Sequence, residues 1–149
     1  MTDAESQLQS FMSRFSPEVA ARGNEALSKL REFLPGATCL VYDNYNALAV
    51  AFTPDGRPSH AILSLTLYPR WVSLFFTSGG TLPDPAHLLK GSGNKMRHMV
   101  LVSAHALDQP EVRALIYEAV RSSGVQMPAS HGQVIIQSVS AKQRPRRPT

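Results

Sequence analysis

The stretch from Lys90 to Arg97 (KGSGNKMR) has the residue types that bind an anion. Gly91 and Gly93 allow successive backbone N–H groups to converge on one ligand. Three cations, Lys90, Lys95 and Arg97, supply positive charge. The order and spacing of a Walker A loop are absent, and the stretch precedes a predicted strand instead of a helix. The sequence therefore predicts an anion site here, with a plain solvated Gly-Ser loop as the alternative.

A second set of candidate residues lies at a tight turn between two predicted strands. Tyr68, Arg70 and Trp71 combine aromatic rings with a guanidinium, and such a set can stack a nucleic acid base. The alternative is that the rings fill the core or its rim. Both interpretations stay open at the level of the sequence.

Residues suited to catalysis or metal binding are scattered. The histidines show no i,i+4 pair on one helix and no accompanying carboxylate motif: His60, His87, His98, His105 and His131. No G-x-S-x-G elbow, H-E-x-x-H motif or kinase signature occurs. Cys39 is the only cysteine, which excludes an intrachain disulfide, and its apolar surroundings indicate a buried structural thiol. We therefore predict no catalytic residue, no metal ligand and no cofactor.

The formal charge of +4 is unevenly distributed. Residues 142–149 contain four cations and no acid, so the remaining body is neutral overall. Within the body, residues 57–107 are basic, with Asp84 as their only acid. The composition of 142–149 predicts a disordered basic tail that allows weak, non-specific and salt-sensitive contact with nucleic acid. The basic middle of the chain favours an anionic ligand.

The stretch from Thr38 to Thr77 predicts consecutive strands separated by turn signals. The period-two alternation of Leu63, Leu65 and Leu67 with polar residues is typical of a half-buried strand. Because the connections are short, neighbouring strands must be antiparallel. Strands are predicted over residues 38–42, 46–52, 60–68, 71–77, 96–102 and 133–139. The predicted fold class is α+β, with an antiparallel sheet of about five or six strands.

Apolar residues at helical spacing predict helices that pack mainly on one face of this sheet. Ser16 and Pro17 have the cap and first-position residues of a helix start. Asp108 and Glu111 have the spacing of a capping box, and Gly124 would end that later helix. Helices are predicted over residues 3–15, 17–34 and 109–123, with one short helical turn at 86–90.

The length of 149 residues is typical of a single domain with its own core, which we assign to residues 1–141. The N-terminus lacks the basic and apolar regions of a secretory signal, and no apolar run approaches the length of a membrane span. We therefore predict a cytoplasmic protein without membrane contact. The sequence alone does not indicate the oligomeric state.

Several local strings occur in a characteristic order: a helix, Val41-Tyr42 at a strand end, WVSLFF at 71–76, Leu89-Lys90-Gly91 with Gly93 and Arg97, and a closing helix. In these features residues 17–123 resemble the YdhG-like family of uncharacterised bacterial domains. Many members have a Tyr-Gly-Met-Pro-like turn where this chain reads YDNYN from Tyr42, so only Tyr42 is carried over as a site residue. The resemblance implies an α+β fold and a pocket or surface feature at the Gly-Lys-Arg stretch, with no assigned reaction.

Some YdhG-like relatives are described as frataxin-like iron chaperones, so the resemblance also implies an iron-handling alternative. Helix acids such as Glu18, Glu25 and Glu32 would then be the iron ligands. The basic middle of the chain argues against iron binding, because a hard cation needs clustered carboxylates. We predict a small binding module for an anionic ligand. Iron handling and an unrecognised enzyme are the alternatives.

Overall fold

The computed structural model describes residues 3–148, so the parts of the N-terminal and tail predictions that concern Met1, Thr2 and Thr149 lie outside the described residues. None of the described helices is both long and apolar enough to cross a membrane. The helices and strands confirm the α+β class: α1 (Asp3–Ser13), α2 (Pro17–Phe33), β1 (Thr38–Asp43), β2 (Leu48–Thr53), β3 (Leu63–Leu67), β4 (Val72–Phe76), β5 (Arg97–Leu101), α3 (Pro110–Ser122) and β6 (Val134–Val139).

The strands form a six-stranded sheet in the order β5-β4-β3-β2-β1-β6. From β1 to β5 each strand pairs antiparallel with its neighbour in sequence, which confirms the predicted meander. β6 instead pairs parallel with β1, with a register shift between Val41 and Tyr42. The sheet is therefore mixed. This last pair differs from the antiparallel prediction because the chain returns to β1 through a long crossover that contains α3.

The sheet has a helix face and an open face. Alternate side chains of the strands, such as Val50, Leu65 and Leu74, join the helices in one hydrophobic core. The side chains between them project to the opposite side, which no described helix covers. We call this side the open face; it carries Leu40, Tyr42, Ala49, Ala51, Ser64, Thr66, Ser73, Phe75, His98 and Val100.

α2 begins as the sequence predicts and packs closely on the sheet. The side chain of Ser16 accepts a hydrogen bond from the N–H of Val19 at 3.3 Å, and Pro17 is the first helical residue. Gly23 lowers the helix propensity, but a Cβ at this position would lie only 2.6 Å from Cδ2 of Leu67 in β3. The missing side chain therefore lets the helix approach the strand.

Two local predictions between the main elements differ from the structure. No helical turn forms at residues 86–90. The carboxylate of Asp84 instead orders this loop, because it accepts hydrogen bonds from the N–H groups of Leu88 and Leu89, each at 2.9 Å. His60 belongs to a 3₁₀ turn (Pro58–His60), so β3 begins only at Leu63.

The start of α3 also differs from the predicted capping box. Gln109 is the residue before the helix, and its side chain makes no capping hydrogen bond. The carboxylate of Asp108 instead pairs with Nζ of Lys29 in α2 at 2.8 Å. The other end follows the prediction, since Gly124 has a positive φ of 72° just after the helix.

Candidate ligand-binding site

Tyr68 and Trp71 meet on the open face at one end of the sheet. They flank the tight turn between β3 and β4, where the N–H of Tyr68 donates to the carbonyl of Trp71 at 2.9 Å. The rings stack with 4.7 Å between their centroids and 20° between their planes. Burial raises the pKa of Tyr68. Because 40% of Trp71 remains exposed, this ring still offers surface to a ligand.

Residues 140–148, which we call the C-terminal segment, cross the same end of the sheet. β6 runs parallel to β1 and delivers the chain to the end of β1, where the N–H of Ser140 donates to the carbonyl of Asp43 at 2.9 Å. The N–H of Arg144 then donates to the carbonyl of Tyr45 at 2.8 Å. The described part of the segment predicted to be a disordered tail is thus packed against the sheet end, contrary to that prediction.

A buried carboxylate holds the C-terminal segment in place. Asp43 is 1% exposed and accepts hydrogen bonds from Arg146 at 2.8 Å and Gln143 at 2.9 Å. Arg14 completes the set at 2.5 Å. Arg146 is also buried, with its guanidinium 5.6 Å from the centre of the Phe15 ring. The basic composition indicates disorder only while the charges stay in water, and here one of them pairs with an acid inside the fold.

The C-terminal segment and the β3–β4 turn enclose a cleft of about 600 Å³, which we call the arginine–aromatic cleft. It combines stacked rings, prolines and arginines, and none of its described lining residues is acidic. The lining consists of Asn46, Tyr68, Pro69, Arg70, Trp71, Arg144, Pro145, Arg147 and Pro148.

The arginines of the cleft keep much of their binding capacity. Arg70, Arg144 and Arg147 form no ion pair with any described residue. The guanidinium of Arg144 lies 5.6 Å from the centre of the Tyr45 ring, and Nε of Arg147 donates to the carbonyl of Arg14 at 3.1 Å. Unpaired guanidiniums beside exposed rings can hold an anion and a planar group together.

A second depression continues from the cleft along the open face. This sheet groove has a volume of about 590 Å³ and shares Asn46 and Tyr68 with the cleft. Tyr42, a predicted site residue, lies on the same face opposite Ala49 but does not line the groove. The groove is lined by Asn44, Tyr45, Asn46, Ala47, Ala49, Ser64, Thr66, Tyr68, Phe75, Met96 and Ser140.

The predicted Gly-Lys-Arg site lies toward the other end of the sheet. Arg97 pairs with Phe76 at the end of β4, whereas Trp71 precedes its start. The guanidinium of Arg97 donates to the carbonyls of Gly93 at 2.6 Å and Met96 at 2.8 Å, so it holds its own loop together. The structure therefore separates this set from the aromatic set.

The rest of this loop is built around the edge of β5. The backbone of Lys90 exchanges hydrogen bonds with His98 at 2.7 and 2.9 Å, and Gly91 has a positive φ of 127°. Lys90 and Lys95 are exposed and form no ion pair with any described residue. Neither lysine has a cation–π contact with a described residue, so what they offer to a ligand is charge.

The closest arrangement to a catalytic pair involves His60 and Asp55. Nδ1 of His60 lies 2.6 Å from Oδ2 of Asp55, beside a pocket of about 310 Å³. The hydrogen bond from the backbone N–H of Arg57 is the main cause that holds the pKa of Asp55 below its usual value, and the hydrogen bond with His60 lowers this pKa further. Ser122 and Ser123 also line this pocket, but their hydroxyls donate to carbonyls of their own helix. Neither of these two serines is therefore presented to His60 as a nucleophile.

The iron-handling alternative gains no support from the geometry. Within residues 3–148 no group of three or more His, Cys, Asp or Glu side chains could hold a metal ion. Glu18 pairs with Arg22 at 3.1 Å. Burial raises the pKa of the Cys39 thiol to about 11, so the thiol stays protonated at neutral pH.

Neither a model of a known protein family nor a curated protein nor a solved structure matches this chain. The resemblance to the YdhG-like family and the roles that it implies therefore remain predictions.

Three of the predicted site residues line the cleft. Tyr68, Arg70 and Trp71 were recognisable because they are neighbours in sequence. Arg144 and Arg147 carried only the weak signal of a basic tail, since nothing local indicates that this segment crosses the β3–β4 turn.

Proposed function

We propose that the protein is a binding module for an anionic ligand that carries a planar ring, and that the arginine–aromatic cleft is its binding site. One observation carries this proposal: the stacked Tyr68–Trp71 pair shares a cleft with three arginines that have no carboxylate partner among the described residues. The proposal keeps the anionic ligand predicted from the sequence but moves its site.

The two halves of the cleft suit the two halves of such a ligand. A guanidinium presents a planar fork of N–H donors that matches the oxygens of a phosphate. The exposed surface of Trp71 can stack on a base or another flat ring. A nucleotide combines a phosphate with a flat base, so it is the natural probe for this cleft.

The Gly-Lys-Arg loop is a weaker candidate for the same role. Its only arginine, Arg97, already donates hydrogen bonds to the loop carbonyls of Gly93 and Met96. Lys90 and Lys95 are exposed, and isolated exposed charges attract anions only weakly at physiological salt.

The test uses the fluorescence of Trp71, the only tryptophan of the chain. The protein is titrated with adenosine diphosphate at low salt, and we expect saturable quenching. Replacing Arg70→Ala and Arg144→Ala together should weaken the affinity by about tenfold or more, because each removes a charge-assisted hydrogen bond donor. The matched control is Lys90→Ala with Lys95→Ala, which removes the same charge elsewhere and should change the affinity much less.

Other results would contradict the proposal. If the lysine pair matters more than the arginine pair, the site is the loop. Absence of quenching by the nucleotide would remove the cleft as a binding site. Inorganic phosphate is titrated in parallel by competition, and equal affinity for phosphate would show that the ring plays no part.

A further inference from the structure

We infer that the arginine–aromatic cleft is one end of a longer site for single-stranded nucleic acid, which continues along the sheet groove on the open face. This inference rests on the proposed function and adds the class of ligand. A mononucleotide would then fill only part of the natural site.

The first argument is continuity. Tyr68 and Asn46 line both the cleft and the groove, so the two depressions are adjacent and share part of their lining. The groove runs back along β3 past Thr66 to Ser64. Four residues of strand span roughly 13 Å, which is room for about two or three stacked bases.

The second argument is the chemistry of the groove surface. Its floor is made of small side chains, Ala49, Ser64 and Thr66, which leave space above the sheet. Aromatic rings stand around this floor: Tyr45 is 47% exposed, and Phe75 lies beside His98 with 5.3 Å between the ring centroids. Bases of any sequence can stack on such rings, and a sheet that carries them is a known platform for single strands.

The third argument is charge. No described residue that lines the cleft or the groove is acidic. Cations stand at both ends, with Arg70 and Arg144 in the cleft and the exposed Lys95 next to Met96, which lines the groove near β5. Asp43, near the cleft, is buried under its arginine partners and offers no exposed negative charge. A phosphodiester chain is therefore attracted at both ends of the path and meets no acidic lining residue between them.

The test compares a fluorescent pyrimidine hexanucleotide with a mononucleotide on the full chain. We expect the hexanucleotide to bind at least tenfold more tightly. Phe75→Ala should weaken hexanucleotide binding by about tenfold, the effect of losing one stacked base, and leave mononucleotide binding unchanged. Met96→Glu is a second variant at an exposed position, 51% accessible, and should weaken hexanucleotide binding by repelling phosphate.

Tyr117 provides the matched control, since this aromatic residue of α3 is 66% exposed and lines neither depression. Tyr117→Ala and Tyr117→Glu should leave both affinities unchanged. If the mononucleotide binds normally but the hexanucleotide binds no more tightly, and Phe75→Ala and Met96→Glu have no effect, the longer site is refuted while the proposed function stands. If neither the mononucleotide nor the hexanucleotide binds, the proposed function and the longer site are both refuted. An oligoglutamate peptide that binds as tightly as the hexanucleotide would also refute the choice of ligand.

Discussion

Arg144 and Arg146 belong to the same basic stretch of sequence but differ in burial and in role. Arg146 is buried against Asp43, Asn44 and Phe15, while Arg144 is exposed and lines the cleft. The two side chains point to different sides because the C-terminal segment bends and is not a regular strand, in which residues i and i+2 would share one side. One arginine therefore fastens the segment, and its neighbour is left for a ligand.

We predict that Arg146→Ala lowers the free energy of unfolding by about 3 kcal/mol, because it leaves the buried carboxylate of Asp43 short of a partner. Arg144→Ala should change stability by less than about 0.5 kcal/mol, as expected for an exposed side chain. Urea denaturation of the two variants measures both values. Equal stabilities would mean that the Asp43 pairing does not hold the C-terminal segment.

The burial of Arg146 could not be predicted from its surroundings in sequence. Its partner Asp43 is 103 residues away, and the pairing exists only after β6 has joined β1. Local composition correctly indicated cations without acids but not where they end up. Cys39 is the opposite case, since an apolar strand around it was enough to predict a buried thiol, which is 1% exposed.

Among the elements, β6 determines where the C-terminal segment goes. The approach to β6 is tight: the N–H of Gly132 donates to the carbonyl of Pro35 at 2.9 Å. A Cβ on Gly132 would lie 1.6 Å from the carbonyl oxygen of Ala37, which is closer than atoms can approach. Only glycine therefore allows this segment to pass beside the start of β1.

We predict that Gly132→Ala lowers the free energy of unfolding by about 1–3 kcal/mol or more, because backbone must shift to make room for the methyl group. Amides of β6 and the C-terminal segment should also exchange faster with solvent. Gly93→Ala is the control, since a Cβ at that position would have no atom within 4 Å. Unchanged exchange in β6 of Gly132→Ala would contradict the close approach.

The elements themselves were largely predictable, but one pairing was not. Short turns between β1 and β5 leave only antiparallel neighbours, so the meander follows from the sequence pattern. A crossover through α3 imposes no such limit, and local residues do not tell which edge of the sheet β6 joins. The cleft depends on that choice, which explains why its aromatic half was identified and its C-terminal half was not.

At the scale of the whole molecule, several helix charges form ion pairs, whereas the C-terminal segment brings unpaired cations to one end of the sheet. Helix cations tend to pair with helix acids, as Arg22 does with Glu18 and Arg121 with Glu118. The C-terminal segment instead places Arg144 and Arg147 beside Arg70. Three cations without a described ion-pair partner therefore face one cleft, although the chain without residues 142–149 is neutral overall.

The salt dependence of oligonucleotide binding tests this separation. Each phosphate neutralised on a single strand releases condensed counterions, and this steepens the plot of log affinity against log salt by about 0.7. Replacing Arg70→Ala and Arg144→Ala should therefore flatten the slope by about 1.4, if each contacts one phosphate. Arg22→Ala with Arg121→Ala lowers the net charge equally but removes cations that already pair with glutamates, so the slope should stay unchanged. Equal flattening in both double variants would mean that net charge, and not the cleft, attracts the ligand.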